Sequence, residues 1–256
     1  MTQAPALAAP SAYRARRVAV SALSVAERSA MSALYLSCYA GTSDALFQHD
    51  LNAKDEAIVL RHDTHGLVGF TTVQVYPWRW RGEPVRVVYS GDTVVQPAHW
   101  GQQTLALAWV ENMGRLLAEP GAPPLYWLLL VKGHRTYRYL SAFTHRFHPH
   151  WAQAHPDWRA LADELAQARF GGSYLPAQGV VRFAQSHGHL RPHLAEPSDA
   201  ERAKDATAHF LARNPGFRQG DELVCLCPLA LDNLKPLAAR VARRVQGGGA
   251  RHFLHG

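Results

Sequence analysis

Apolar and polar positions alternate in blocks along the first 150 residues, and the blocks predict a series of strands and helices. The continuous apolar run 125–131 has the length of a strand that is buried on both faces. The apolar segment 87–95 precedes a turn that holds a Pro and a Gly, and a helix with apolar spacing follows it. The segment 56–76 has the pattern of a hairpin with its loop at 63–66.

Helix signals stand on both sides of these strands. Ser24 and Glu27 form the pattern of a capping box, which predicts the start of a helix there. A further helix is predicted from His134 to about Phe147, directly after the apolar run. The predicted order is therefore helix, hairpin, strand, helix, strand, helix.

The last third of the chain carries its own elements. Helices are predicted at 157–169, after the capping box at 198–201, and at 230–244, with short strands at 179–184 and 222–227. Two arrangements of these strands are open at this stage. They complete the sheet of the first part, with a helical insertion between them, or they belong to a small accessory unit.

Composition places the chain among folded proteins. Apolar residues make up 47% of it and charged residues 18%. No apolar stretch approaches the roughly 20 residues that a membrane-spanning helix needs. The first ten residues have no basic segment before an apolar core, which favours a disordered tail over a signal peptide. Three cysteines cannot form a disulfide framework, so we expect a cytoplasmic protein.

Charge and histidine content suggest further partners. The net charge of +7 suits either a solvated surface or an acidic partner, but its arginine clusters match no nucleic-acid module, so we expect no nucleic acid. The 15 histidines include the groups 145–150 and 187–193, and neither has the His-Glu-x-x-His pattern of a zinc site. Cys225 and Cys227 lack a second pair at zinc spacing. The sequence therefore predicts no metal site.

The turn between the 87–95 strand and the next helix carries the clearest chemistry. A strand that enters a helix through a tight turn directs several N–H groups at one point, which favours an anion such as a pyrophosphate. With the order of elements, the segment 95–105 resembles the donor-binding turn of the GNAT superfamily of acyl-CoA N-acyltransferases. The usual pattern of that turn is Val-x-Pro-x-x-Arg-Gly-x-Gly-x-Gly. Three positions match it: Val95, Pro97 and Gly101. Three depart from it: Trp100 replaces the Arg, and Gln103 and Leu105 replace glycines.

The resemblance implies a fold and a donor. The fold is an α/β GNAT-like one, with a mixed, mostly antiparallel sheet flanked by helices and a C-terminal helical and strand extension. The expected divisions are a disordered tail 1–15, a core 16–185, an extension 186–246 that either completes the sheet or stands apart, and a flexible tail 247–256. Acetyl-CoA or a longer acyl-CoA is the implied co-substrate, and the implied donor-binding residues are Val94, Val95, Trp100, Gly101, Gln102, Gln103, Thr104 and Leu105. Side chains at Gln103 and Leu105 are expected to crowd the pyrophosphate, because glycines permit a closer approach.

Acyl transfer from a thioester to an amine needs a base for the amine and an acid for the thiolate. In the family, an acidic residue on the fourth strand often serves as base, and a Tyr on the last core helix as acid. Asp92 is the candidate base, with a turn-capping role as the alternative. Tyr139 and Tyr137 are the candidate acids, although the family's Tyr aligns nearer Phe143, and a buried packing role is the alternative for both.

The start of the same helix carries further polar candidates. His134 is another titratable candidate, with a solvent-exposed helix start as the alternative. Its neighbours Lys132 and Arg135 suit either donor phosphates or the surface.

Three functions fit these observations. The first is an acyl-CoA-dependent N-acyltransferase that acts on a small-molecule amine. The second is a relative of the N-acyl amino acid or acyl-homoserine lactone synthases, which take the acyl group from an acyl carrier protein. The third is a non-catalytic ligand-binding protein with the same fold. A homodimer stays open for all three.

Overall fold

In the computed structural model, residues 12–246 are described, and they form a layered α/β structure. The elements in chain order are β1 Tyr13–Ala19, α1 Val25–Cys38, β2 Tyr39–Ala40, α2 Asp44–Asn52, β3 Glu56–His62, β4 Gly66–Trp80, β5 Glu83–Val95, α3 Thr104–Leu117, β6 Leu125–Val131, α4 His134–Phe143, α5 Pro156–Phe170, β7 Tyr174–Leu175, β8 Val180–Val181, β9 His189–Leu190, α6 Pro192–Ala195, α7 Asp199–Arg202, α8 Asp205–Arg213, β10 Glu222–Leu229 and α9 Pro236–Gln246. A 3₁₀ turn, Pro97–His99, lies between β5 and α3. Within 12–246, no helix has both the length and the apolar character needed to cross a membrane.

Eight strands form one sheet, in the order β1-β3-β4-β5-β6-β10-β8-β7. All neighbours in it are antiparallel except β5 and β6, which run parallel. Helices cover both faces, so the predicted fold class, a mixed and mostly antiparallel sheet flanked by helices, is confirmed. The capping box of α1 is also present, since Ser24 accepts from the backbone N–H of Glu27 and the Glu27 side chain accepts from that of Ser24.

The apolar run of β6 is buried on both faces, as its sequence predicts. Leu129 belongs to the core that includes α3, α4 and α9, whereas Leu128 belongs to the core on the α5 side. Helices α3 and α9 pack at very close range. A Cβ at Gly114 would lie 2.7 Å from the Cα of Ala242, so only glycine permits this approach.

The C-terminal strands complete the main sheet, which decides between the two arrangements open from the sequence. β10 pairs with β6 from Leu223 to Leu229 and with β8 on its other side. The extension 186–246 therefore contributes an internal strand, because β10 has a paired strand on each of its edges.

The structure corrects several predicted boundaries. The last helix begins at Pro236 and not at residue 230, and the strand predicted at 179–184 comprises only Val180–Val181. Residues 13–15 belong to β1 and not to a disordered tail, because they pair with β3 in register. α4 ends at Phe143 and not at Phe147, because Thr144 has an extended backbone and bridges to Leu234. The rest of the predicted tails, 1–11 and 247–256, lies outside the described residues.

Candidate functional site

The parallel strands β5 and β6 separate partway along their length, and two cavities meet in the gap. Their pairing extends from Arg86↔Leu125 to Ser90↔Leu129, while β5 continues to Val95. A cavity of about 680 Å³ opens beside the turn after β5, and a second of about 350 Å³ opens on the other side. We call them the turn-side cavity and the charged cavity. Three residues line both: Tyr39, Thr93 and Thr136.

Residues 100–102 of the turn at 100–103 form one wall of the turn-side cavity. The indole N–H of Trp100 donates to the carbonyl of Val95 at 2.9 Å, and the Arg135 guanidinium lies 4.3 Å from the Trp100 ring. Gly101 has φ +93°, which residues with a Cβ rarely adopt. The side-chain oxygen of Gln102 accepts from the N–H of Leu105 at 3.2 Å and so caps the start of α3.

The predicted donor-binding residues fall into two groups in the structure. Five line the turn-side cavity: Val94, Val95, Trp100, Gly101 and Gln102. The other three do not line it: Gln103, Thr104 and Leu105. The expected crowding by Leu105 is wrong, because that side chain is 2% exposed and packs into the core. Gln103 is exposed at the N-cap of α3.

The first turn of α4 contributes cations and a buried histidine to the same cavity. Glu201 faces them from α7, with Oε2 3.3 Å from Arg135 and Oε1 3.4 Å from His134 Nε2. Burial lowers the pKa of His134, and the charge of Arg135 lowers it further. The solvent-exposed alternative for His134 is therefore wrong, since the side chain is 1% exposed. The lowered pKa favours a neutral imidazole at His134, whose ring lies next to the Glu201 carboxylate.

Tyr139 and Tyr137 lie on opposite sides of α4. Tyr139 lines the turn-side cavity and stacks on Phe143, with ring centroids 5.6 Å apart. Burial raises the pKa of Tyr139, so its hydroxyl stays protonated and can donate. Tyr137 is fully buried, and its hydroxyl donates to the carbonyl of Pro149 at 2.6 Å. Tyr137 is therefore no longer a candidate for the acid, because it is a core residue that lines neither cavity.

Asp92 lines the charged cavity, and a β-bulge places it there. Thr71 pairs with Thr93 and Val73 pairs with Ser90, so Gly91 and Asp92 together oppose Thr72. Such a bulge redirects a side chain and is frequent next to active sites. A Cβ at Gly91 would lie 2.5 Å from Thr72 Oγ1 and 2.6 Å from Lys54 Cε, so a larger residue there would displace one of these side chains.

Buried charges of both signs surround Asp92. Lys132 Nζ lies 3.4 Å from Glu222 Oε1 and donates to the carbonyl of His187 at 3.1 Å. Burial raises the pKa of the Asp92 carboxyl, although Lys132 and Lys54 oppose the shift. Burial likewise raises the pKa of Glu222 against the charge of Lys132. The cavity therefore holds carboxyls that bind protons more tightly than in water, next to fixed cations.

Lysine pKa values in this cavity shift in opposite directions. Burial alone lowers the pKa of Lys132, but Glu222 and Asp92 outweigh it and leave that pKa raised. Burial also lowers the pKa of Lys54, and here the nearby Asp92 only partly opposes the shift. The raised pKa favours the charged form of Lys132 in the charged cavity. The surface alternative for Lys132 is wrong, because its side chain is only 11% exposed, and it lines the charged cavity and not the turn-side cavity.

Sequence reasoning missed three members of the charged cavity: Lys54, Arg169 and Glu222. Glu222 had a visible signal, since it is an acidic residue at the start of a strongly apolar strand. Lys54 and Arg169 had no such signal. Lys54 follows α2 and Arg169 lies at the end of α5, where charged residues are commonly exposed to solvent. Only the fold brings them to Asp92.

No known family model matches the chain, and no curated protein matches it. Several solved structures resemble it at low identity. A probable N-acyltransferase of unknown function from Enterococcus faecalis is 15% identical with a TM-score of 0.40, over 54% of this chain and 33% of that one. A GNAT family N-acetyltransferase from Escherichia coli in complex with CoA is 21% identical with a TM-score of 0.37, over 53% and 71%. Arabidopsis thaliana NAA60 in complex with acetyl-CoA is 14% identical with a TM-score of 0.38, over 53% and 86%.

The chain thus spans a third of the length of the first of these structures. The family that the sequence resembles is named among them, and the predicted order of helix, hairpin, strand, helix, strand and helix is present in residues 25–143.

Proposed function

We propose that this protein is an acyl-CoA-dependent N-acyltransferase that acylates the amine of a small molecule. One observation carries the proposal: the two cavities meet at Thr93 and Thr136, with a helix N-terminus and arginines on one side and a buried carboxyl on the other. A thioester and an amine that enter from opposite sides would meet in the gap. Such positioning is a large part of what a two-substrate transfer requires.

The turn-side cavity suits the donor. Arg135 and Arg138 line it, and the start of α3 faces the same turn, so phosphates would meet positive charge there. Beyond Ser90, β5 has no strand partner on its β6 side among the described residues. Its main-chain groups can therefore bind an extended acyl-donor arm in the way a strand binds an added strand.

The charged cavity suits an amine that also bears an anionic group. Asp92 and Glu222 would attract the amine, while Lys54 and Arg169 lie on the same walls. Neither cation forms an ion pair with a carboxylate of residues 12–246; Lys54 lies 5.2 Å and Arg169 3.9 Å from the Tyr89 ring. We therefore propose an acceptor that carries a carboxylate or similar anion near its amine.

Asp92 and Tyr139 would divide the proton transfers. The acceptor enters the gap as a neutral amine, after an ammonium has lost one proton to solvent. Its nitrogen attacks the thioester carbonyl carbon, and the Asp92 carboxylate takes the proton that the nitrogen then loses. The tetrahedral intermediate then collapses, the C–S bond breaks, and the thiolate takes the proton of the Tyr139 hydroxyl. The products are an amide and free CoA, and the two side chains exchange their protons with solvent afterwards.

Substitution Asp92→Asn tests this function. Isothermal titration with acetyl-CoA and with a long-chain acyl-CoA measures donor binding, and thiol release with a panel of amines and amino acids measures turnover. We expect donor binding to be retained and kcat/KM to fall by about 10²–10⁴-fold, because the base is lost. The raised pKa of Asp92 also predicts that wild-type activity falls as the pH drops through values above the ordinary Asp range of about 3.9.

The matched control is Asp50→Asn, a carboxylate that lines the same cavity without touching the gap. It should keep most of the activity. Equal losses in the two variants would contradict the role of Asp92. Absence of binding and turnover with either CoA ester would contradict the CoA-dependent function, and turnover with acyl carrier protein thioesters alone would assign the carrier-dependent alternative.

A further inference from the structure

Three histidines from three separate segments meet at one edge of the sheet, away from both cavities. His62 ends β3, His65 lies in the turn to β4, and His99 closes the 3₁₀ turn after β5. Each offers one ring nitrogen, and these nitrogens all lie within 4.8 Å of one another. None of the three lines the turn-side or the charged cavity.

The nitrogen spacing approaches that of ligands on one metal ion. His65 Nδ1 lies 3.0 Å from His99 Nε2. Two imidazole nitrogens that bind Zn²⁺ tetrahedrally, each at about 2.1 Å, lie about 3.4 Å apart. Imidazole is a preferred ligand of Zn²⁺, Cu²⁺ and Ni²⁺, so the donor set suits this class of ion.

Neighbouring hydroxyls can hold two of the rings in the tautomer that a metal needs. The Tyr13 hydroxyl lies 2.9 Å from His99 Nδ1, so Nδ1–H can donate to it and leave the Nε2 lone pair towards His65. The Thr64 hydroxyl lies 3.0 Å from His62 Nδ1 and can act in the same way for Nε2 of that ring. The Thr64 amide also donates to His62 Nδ1 at 3.3 Å, and the Nδ1–H tautomer that the metal needs would give up this contact.

The three rings differ in exposure. A buried ring can hold the ion in place, and an exposed ring leaves a path from solvent. His99 is 5% exposed, His62 is half-buried and His65 is exposed. The His62 and His65 rings stack, with centroids 4.5 Å apart, and His99 packs against both. Because His65 is exposed, its ring can turn so that its lone pair meets those of the other two.

We propose that His62, His65 and His99 form a binding site for one divalent transition-metal ion such as Zn²⁺, with solvent at the remaining position. The ion would join the β3–β4 hairpin to the segment that leads into the turn at 100–103, since Trp100 directly follows His99. The site is structural in this proposal, because it lies outside both cavities. It does not depend on the proposed acyltransfer.

Titration of the untagged full-length protein with ZnCl₂ tests the site, with Co²⁺ absorption as a second readout of nitrogen coordination. We expect one ion per chain and a rise in melting temperature on binding. His65→Ala should weaken Zn²⁺ binding by about tenfold or more and abolish the thermal shift, and Tyr13→Phe should weaken it by about 10–100-fold.

The matched control is His193→Ala, since His193 is also exposed but lies outside the cluster. It should bind Zn²⁺ as the wild type does. His65 is exposed, so its variant is expected to fold, and circular dichroism without metal checks this. The proposal would be overturned if His65→Ala and His62→Ala still bound one Zn²⁺ ion with unchanged affinity. It would also be overturned if the wild-type protein bound Zn²⁺ only as weakly as these variants.

Discussion

At the scale of single residues, α4 separates two tyrosines that the sequence cannot distinguish. They stand two positions apart, and a helix turns about 100° per residue, so one faces the gap and the other the core. Tyr139 lines the cavity in which a thiolate would leave, whereas Tyr137 donates to the Pro149 carbonyl. The same substitution at the two positions should therefore have different consequences.

Tyr139→Phe should lower kcat by roughly 10²-fold with little change in melting temperature, because the ring keeps its stacking on Phe143 and loses only its proton. Tyr137→Phe should leave kcat near the wild-type value and destabilise the fold by about 1–3 kcal/mol, because a buried carbonyl loses its donor. Steady-state kinetics and thermal unfolding of both variants measure this contrast. A thermally unstable Tyr139→Phe protein with normal kcat would show that Tyr139 only packs.

At the scale of elements, the bulge in β5 links the sheet to the charged cavity. It inserts one residue opposite Thr72, and this places Asp92 in one cavity with Lys132, which directly follows β6, and Lys54 in the α2–β3 connection. Lys54 passes directly over the bulge, with Cε 2.6 Å from the place a Gly91 Cβ would occupy. The glycine thus permits the contact between the strand and Lys54.

Gly91→Ala should destabilise the protein by about 1–3 kcal/mol and lower kcat/KM, because either Lys54 or the Asp92 backbone must move. Denaturant unfolding and kinetics on the same preparations measure both effects. Gly172→Ala is the control, since a Cβ there would meet nothing within 4 Å and that backbone is not left-handed. Similar behaviour of the two variants would mean that the bulge tolerates a side chain and does not constrain the site.

At the scale of the whole molecule, local patterns predicted the elements, and long-range packing decided the site. The capping box at Ser24 and the apolar run of β6 each have a local cause, so both could be predicted. Asp92 was found because a carboxyl in an apolar strand is conspicuous. Glu222, which lines the same cavity, lies 130 residues later. The cluster of His62, His65 and His99 joins the β3–β4 hairpin to the segment after β5. Such contacts depend on register and sheet order, which no local pattern contains.

The sheet order also predicts that the core 16–185 does not fold as a unit of its own. β10 covers the edge of β6 and brings Glu222 into the charged cavity, while α9 packs closely on α3. A chain ending at residue 185 would expose the apolar edge of β6, and buried strands of this kind are not stable in water without a neighbour. We therefore expect the 1–185 fragment to be insoluble or to lack a cooperative unfolding transition.

A chain ending at residue 246 is the matched control, since it keeps every described element. It should unfold with the same midpoint as the full chain, as measured by thermal circular dichroism. A soluble 1–185 fragment with a cooperative transition would contradict the structural argument, because the β6 edge would then be stable without β10. Failure of the fragment alone, with the 1–246 chain intact, would establish that the C-terminal segment is part of the same folding unit as the candidate site.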